Sequence, residues 1–170
     1  MGKTRYAIAI GSNRRHSRHG SPRHTVAAAV RTMGKAGLKI RASGPILSSR
    51  AMGPAGRDFA NSAVIVSCRL DPPELLALLK AIERDFGRRP GCRWGPRVLD
   101  LDIVLWSEGV WADSSLIVPH PAFRTRAFVL DPLFAIVPRW RDPLTGLTIA
   151  HLRFRQRRRA ASSRHYCITR

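Results

Sequence analysis

An α/β fold with the order β-α-β-β-α-β is what this chain predicts, and three observations predict it. Apolar residues alternate, as strands require, in four separate stretches: 6–10, 38–49, 59–70 and 98–106. Two stretches between them carry apolar residues at helical spacing behind clear start signals, Ser21-Pro22 and Asp71-Pro72-Pro73-Glu74. At 170 residues there is room for one domain with a proper core and not for two. An antiparallel sheet with helices packed on one face, the ferredoxin-like arrangement, satisfies that order.

Each element has a local reason. Tyr6, Ile8 and Ile10 alternate with Ala7 and Ala9, a short strand expected to stop at the turn Gly11-Ser12-Asn13. Ser21 is a natural N-cap with Pro22 in the first turn; Val26, Val30 and Met33 then recur at helical spacing up to Gly37, a natural C-cap residue. Residues 38–49 read as a second strand interrupted at Gly44-Pro45, and 50–57 as a Gly- and Pro-containing loop. In the third strand Phe59, Asn61, Ala63 and Ile65 share one face. Asp71 and Glu74 form a capping-box pattern around two prolines, and the helix they start carries Leu75, Leu78, Leu79, Ile82 and Phe86 inward as far as Gly87. Residues 88–96 form a loop that feeds the strand 98–106. A third helix falls near 128–136, where Pro132 is expected to confine it to a turn or two on either side. No internal repeat and no linker appear before about residue 152.

Composition narrows the partners. There are 30 Lys and Arg against 11 Asp and Glu, a net charge of +19. Much of the excess sits in two blocks, 14–23 and 153–170. Both are poor in apolar residues, so they read as a loop and a disordered tail; the domain proper is 1–152. Such blocks attract polyanions without specifying one. No run approaches the ~18 apolar residues of a membrane helix, and residues 1–10 lack the apolar core of a secretory signal. Cys68, Cys92 and Cys167 are odd in number and lack metal-ligand spacing. The expectation is a cytoplasmic protein.

The most informative segment runs Arg93-Trp94-Gly95-Pro96-Arg97-Val98-Leu99-Asp100-Leu101-Asp102-Ile103. Asp100 and Asp102, at i and i+2 on a strand, point to one face, with Leu99, Leu101 and Ile103 on the other as a core stripe. An isolated pair of this kind most often marks a solvated strand face. Here Arg88, Arg93 and Arg97 precede it, and paired carboxylates beside arginines suit divalent cations held against a phosphate chain. Downstream, His120 and Arg126-Ala127-Phe128 add a histidine, a cation and a ring. Upstream, Phe59 and Asn61 offer a stacking surface and an amide. Taken singly, the Asn reads as structural, the two Phe as core and the His as a local hydrogen-bonder. Together they suit a flat heterocycle bound beside a metal-nucleotide. No Walker-type phosphate loop is present.

Five motifs in order carry a resemblance over about 6–152: Ala9-Ile10-Gly11-Ser12-Asn13; Gly53-Pro54 with Asp58-Phe59-Ala60-Asn61-Ser62-Ala63; Glu83 to Gly87-Arg88; the Trp94 to Ile103 string; and Val118-Pro119-His120-Pro121 with Arg126-Ala127-Phe128-Val129-Leu130. In these the chain resembles the 6-hydroxymethyl-7,8-dihydropterin pyrophosphokinase family of folate biosynthesis. The resemblance implies a ferredoxin-like monomer that moves pyrophosphate from ATP to the pterin hydroxymethyl group. It implies that Asp100 and Asp102 hold two Mg²⁺ ions, and that Arg88 and Arg97 grip phosphates from a mobile loop closed by Trp94. Glu83, Arg93, Ile103, His120 and Arg126 would serve the nucleotide. Phe59 and Phe128 would sandwich the pterin, with Asn61 at its hydrogen-bonding edge and Ser49, Met52 and Trp94 completing the pocket.

Three stretches depart from the family pattern: Arg50-Ala51-Met52, the basic segment 13–24, and the Arg-rich end after Leu152. None removes a proposed chemical group. A basic RNA-binding ferredoxin-like module is the rival from another class. It lacks aromatic RNP signatures, and Asp100 and Asp102 would repel phosphate on its binding face. A catalytically dead relative is opposed by the intact acids, arginines and histidine.

Overall fold

The computed structural model describes residues 2–50, 58–87 and 98–165, and for 49, 50, 58 and 163–165 the backbone alone. An antiparallel sheet runs in the order β2-β4-β1-β5, formed by β1 (Thr4–Ser12), β2 (Lys39–Ser43), β4 (Asp58–Cys68) and β5 (Asp100–Trp106), with β3 (Leu47–Arg50) also paired to β4. The expected second strand is thus two strands. Gly44, between them, is required by close approach: a Cβ there would lie 2.9 Å from the Pro132 carbonyl oxygen and 3.2 Å from that of Ala63.

On one face lie α1 (Pro22–Lys35) and α2 (Pro72–Asp85). Ser21 caps α1 by accepting the His24 N–H, and the Asp71–Glu74 capping box on α2 is complete. Both helices bury their apolar stripes, Val26, Ala29, Met33 and Leu75, Leu79, Ile82, against Tyr6, Ile8, Ile10, Val64, Val66, Leu99, Leu101 and Ile103. The Tyr6 hydroxyl donates to the Leu70 carbonyl at 2.8 Å, and burial pushes its pKa up to about 12.

The other face is covered as well, where the sequence suggested helices on one face only. Helix α3 (Ala127–Ile136) and the start of α4 (Ile149–His165) bury Val129, Leu130, Leu133, Ile149 and Leu152 on Ala7, Ala63, Ile65, Val104 and Leu105. Helix α3 runs through the buried Pro132 with about a turn on either side, as expected. A short hairpin, β6 (Trp111–Ala112) with β7 (Ile117–Val118), and a 3-10 turn over Phe123–Thr125 link β5 to α3.

Two sequence expectations are corrected. Strand β1 continues through Gly11 and Ser12, because both pair with β4 on one side and Gly11 with β5 on the other. The stretch 153–165, expected to be disordered, is helical as the continuation of α4. Asp131 on α3 accepts from Arg153 at 2.6 Å and Arg157 at 3.2 Å, and the Arg153 guanidinium lies 4.3 Å from the Phe134 ring. Pairing to a neighbouring element, rather than an apolar stripe of its own, extends this helix.

Candidate active site

Strand register assembles the site. Gly11 lies opposite both Asn61 on β4 and Asp100 on β5, and Ala9 opposite both Ala63 and Asp102. Two rows therefore cross the sheet on one face, Asn61-Gly11-Asp100 and Ala63-Ala9-Asp102. Each has a small residue in the middle. A Cβ at Gly11 would come within 3.4 Å of Asn61 Oδ1 and 4.0 Å of the Asp100 Cβ, so glycine keeps the floor between amide and carboxylate low. The sequence reading treated Gly11 as a turn residue. Its position between two candidate site residues becomes visible only once three strands are in register.

The two aspartates are partly exposed, while Leu99, Leu101 and Ile103 between and beside them are buried, as the alternation requires. The Asp102 carboxyl is held above its ordinary range, first by burial and then by the charge of Asp100. His120 and Lys80 lie close enough to oppose that rise, and Glu83 adds to it.

An irregularity in β5 brings His120 close. Ala7 pairs with Leu105 and Ile8 with Ile103, which leaves Val104 as an extra residue. Its carbonyl accepts the His120 N–H at 3.0 Å. His120 Nδ1 in turn accepts the Ala122 N–H at 3.1 Å, which assigns the ring proton of a neutral imidazole to Nε2.

Glu83 is fully buried on α2. Its Oε1 accepts the Leu101 main-chain N–H at 2.8 Å and its two oxygens accept from Lys80 Nζ at 2.9 and 3.0 Å. Strand β5 is an edge strand, so this carboxylate satisfies an outward-pointing N–H between the two aspartates. Ile103 is two residues further on and in regular register, so its main chain faces the same edge while its side chain sits in the core. The resemblance implies nucleotide roles for Glu83 and Ile103; in the structure the Glu83 carboxylate is bonded to the β5 main chain and to Lys80, and the Ile103 side chain lies in the core.

On α3, Arg126 is the N-cap residue, with its guanidinium 5.7 Å from the Phe128 ring. That ring is 47% exposed, high for a phenylalanine on a packed helix, and so has a face to offer. Phe59 is partly buried near the start of β4, opposite Ser49 of β3. Arg88, Arg93, Trp94, Arg97 and Met52 lie outside the described residues, as do Cys92 and Cys167. Among the described residues no group of three or more His, Cys, Asp and Glu is placed to hold a metal by itself. No helix among them is long and apolar enough to cross a membrane.

The chain is similar to known proteins. A 2-amino-4-hydroxy-6-hydroxymethyldihydropteridine pyrophosphokinase of Synechocystis is 43% identical over 117 residues, 69% of this chain and 60% of the relative. The enzyme of that name from Pseudomonas aeruginosa is 38% identical over 141 residues, 82% and 84% of the two chains. The mitochondrial folate synthesis bifunctional protein of Arabidopsis thaliana is 37% identical over 145 residues, 85% of this chain and 25% of that one. The chain thus spans under two thirds of the first of these relatives and a quarter of the last. The crystal structure of wild-type Plasmodium falciparum HPPK-DHPS superposes with a TM-score of 0.65 over 91% of this chain and 41% of that one, at 13% identity, a likeness of fold. Residues 7–138, which include both rows of the site, match the model of the 7,8-dihydro-6-hydroxymethylpterin-pyrophosphokinase family, and the chain belongs to that family.

Proposed function

We propose that this chain transfers pyrophosphate from ATP to the hydroxymethyl group of 6-hydroxymethyl-7,8-dihydropterin, giving AMP and the pterin diphosphate. The observation that carries this reading is the row Asn61-Gly11-Asp100. It sets an amide suited to a heterocycle edge beside a carboxylate suited to a metal-phosphate, across a glycine floor.

The donor set fits Mg²⁺. Asp100 and Asp102 offer hard oxygens from one face, and their mutual repulsion is the kind a divalent cation relieves. Asp100 and Asp102 would hold the ion, and bound there it would supply positive charge against the phosphate chain.

In the reaction the pterin hydroxymethyl oxygen forms a bond to the β-phosphorus, the bond from that phosphorus to the oxygen of the α-phosphate breaks, and the alcohol proton is released. The protein's part is positioning. Asn61 and the rings of Phe59 and Phe128 orient the pterin. His120, Arg126 and the edge of β5 at Ile103 take the nucleotide. Arg88, Arg93 and Arg97 supply further cations, with Trp94 over the pterin and main-chain groups at Ser49 and Met52 around it. A reducing cytoplasm, a monomeric state and the absence of specific nucleic-acid or membrane partners complete the reading; a buried Cys68 suits that setting.

Calorimetry with the dihydropterin and a non-hydrolysable ATP analogue, followed by an assay for AMP release, tests it. Binding of both and pterin-dependent AMP release are expected. Arg97→Ala should slow single-turnover transfer about a hundredfold, ~3 kcal/mol, with pterin affinity little changed. An RNA-binding module would give no pterin signal, and that result would overturn the assignment.

A further inference from the structure

The basic segment after β1, one of the stretches that departs from the family pattern, is built around its histidines. His16 and Gly20 exchange main-chain hydrogen bonds at 2.8 Å, closing a tight loop. Inside it, His16 Nδ1 accepts the N–H groups of Arg18 at 3.0 Å and His19 at 3.1 Å. The His16 and His19 rings stack at 4.6 Å, and both meet Phe86, at 5.6 and 4.9 Å. Phe86 is the C-cap residue of α2 and is 4% exposed. One helical turn before it is Glu83, whose carboxylate holds the Leu101 N–H between the two aspartates.

We infer that His16 and His19 are positioning residues: their ring stack braces the end of α2, and through Glu83 it sets the edge of β5 that carries Asp100 and Asp102. This inference rests on the pyrophosphokinase reading. Geometry supports the brace from both ends. The loop leaves β1 just after Gly11 and Ser12, which are in register with the site, and its rings land on the end of the helix that secures β5.

The brace needs neutral imidazoles. His16 Nδ1 is an acceptor of two N–H groups, and a proton on it would break both bonds. Among the described residues, Arg18 from the loop and Arg31 from α1 are the cations that act on His19, while α2 presents the uncharged Phe86 ring to both histidines. Burial first, then His16, Arg18 and Arg31, lowers the proton affinity of His19. A charged ring would gain a cation–π contact with Phe86, but it would lose the loop bonds and stand beside two arginines. Because the folded state disfavours the proton on His19, the brace is intact above the ordinary imidazole range and is lost as pH falls below it.

The experiment compares wild type with His16→Asn, His16→Ala and His19→Phe. Asparagine keeps a side-chain acceptor for the two N–H groups without titrating, and phenylalanine keeps the stack. Measured on each are kcat and KM between about pH 5 and 8, and hydrogen exchange at the Leu101 amide of the protein without substrates. In wild type, kcat and the protection of the Leu101 amide relative to its intrinsic exchange rate should fall together toward the acid end, with KM for the pterin little changed. His16→Ala should show both defects at every pH, with kcat down about tenfold. His16→Asn, which keeps the loop bonds but loses the ring, should recover only part of both, and His19→Phe, which keeps the stack and does not titrate, should retain the wild-type neutral values and flatten the acid limb. Wild-type kcat and Leu101 exchange in His16→Ala would overturn the inference, as would an unchanged acid limb in His19→Phe. The exchange readout needs no substrate, so failure of the pyrophosphokinase reading would leave it standing as a separate test of the brace.

Discussion

Glu83, buried on α2, accepts the Leu101 main-chain N–H at 2.8 Å, at the one residue that separates the two aspartates of β5. An edge strand is where main-chain donors face solvent and slip most easily, so a buried carboxylate here fixes the strand that carries the charge. Glu83→Ala removes the acceptor and leaves Lys80 without this carboxylate, and should cost about 1.5–3 kcal/mol of stability. Glu83→Gln retains an acceptor for Leu101 and should keep more turnover than the alanine variant. Urea unfolding and steady-state kinetics on the pair decide it; equal losses of turnover would mean that the Leu101 bond is irrelevant to the site.

Asp102 should trade stability for function. Its carboxyl is raised by burial and by Asp100, so the folded state binds the proton more tightly than the unfolded chain does. Stability contributed by this group is therefore present at low pH and lost as pH rises through its folded-state range, so the penalty grows with pH. Asp102→Asn should melt a few degrees higher than wild type without ligands, since ~1 kcal/mol moves a domain of this size by roughly 2–4 °C. The same variant should have no measurable transfer. Mg²⁺ with ATP should raise the melting point of wild type and leave that of the variant almost unmoved. A lower melting point in Asp102→Asn would refute the electrostatic account.

Acid lability should trace to Asp142. This fully buried carboxylate accepts from Arg124 Nε and Nη2, both at 2.7 Å, and from the Thr145 hydroxyl at 2.6 Å. Burial works against its charge, but Arg124 and Thr145 outweigh burial and hold the carboxyl below its ordinary range. Its stabilising contribution is present above about pH 4 and lost as pH falls through the depressed folded-state value. Asp142→Ala should cost roughly 3 kcal/mol, because it leaves the Arg124 charge half-buried and unmatched, and should flatten the acid limb of a melting-point-versus-pH curve. An acid limb as steep as in wild type would place the titration elsewhere.

Truncation to residues 1–152 should leave turnover at saturating ATP near normal while lowering stability modestly. The lost contacts are the partly exposed Arg153 and Arg157 pairs with Asp131 and the stacking of Arg153 on Phe134. Together they are worth ~1–2 kcal/mol. The buried Ile149 and Leu152 remain in the truncated chain. Thermal melting and turnover at low and moderate salt measure both effects; loss of folding, or of most turnover, would make residues 153–165 part of the domain.

Local signals in the sequence determined most elements. Ser21-Pro22, Asp71 with Glu74, and the alternation around Asp100 and Asp102 encode caps and faces within a few residues of themselves, so no distant contact is needed to read them. Tertiary structure alone decided three other matters. Gly11 reads locally as a turn, and becomes a strand residue because two neighbouring strands supply its ladder partners. Residues 153–165 carry no core stripe, and their helix is set by Asp131 and Phe134 on another helix. Glu83 and Leu101 are 18 residues apart, and His16 and Phe86 come together only when α1 and α2 pack side by side on the sheet. Periodicity reports which side of an element is buried. Which element lies against it depends on long-range pairing, a sum over contacts that no short window of sequence contains.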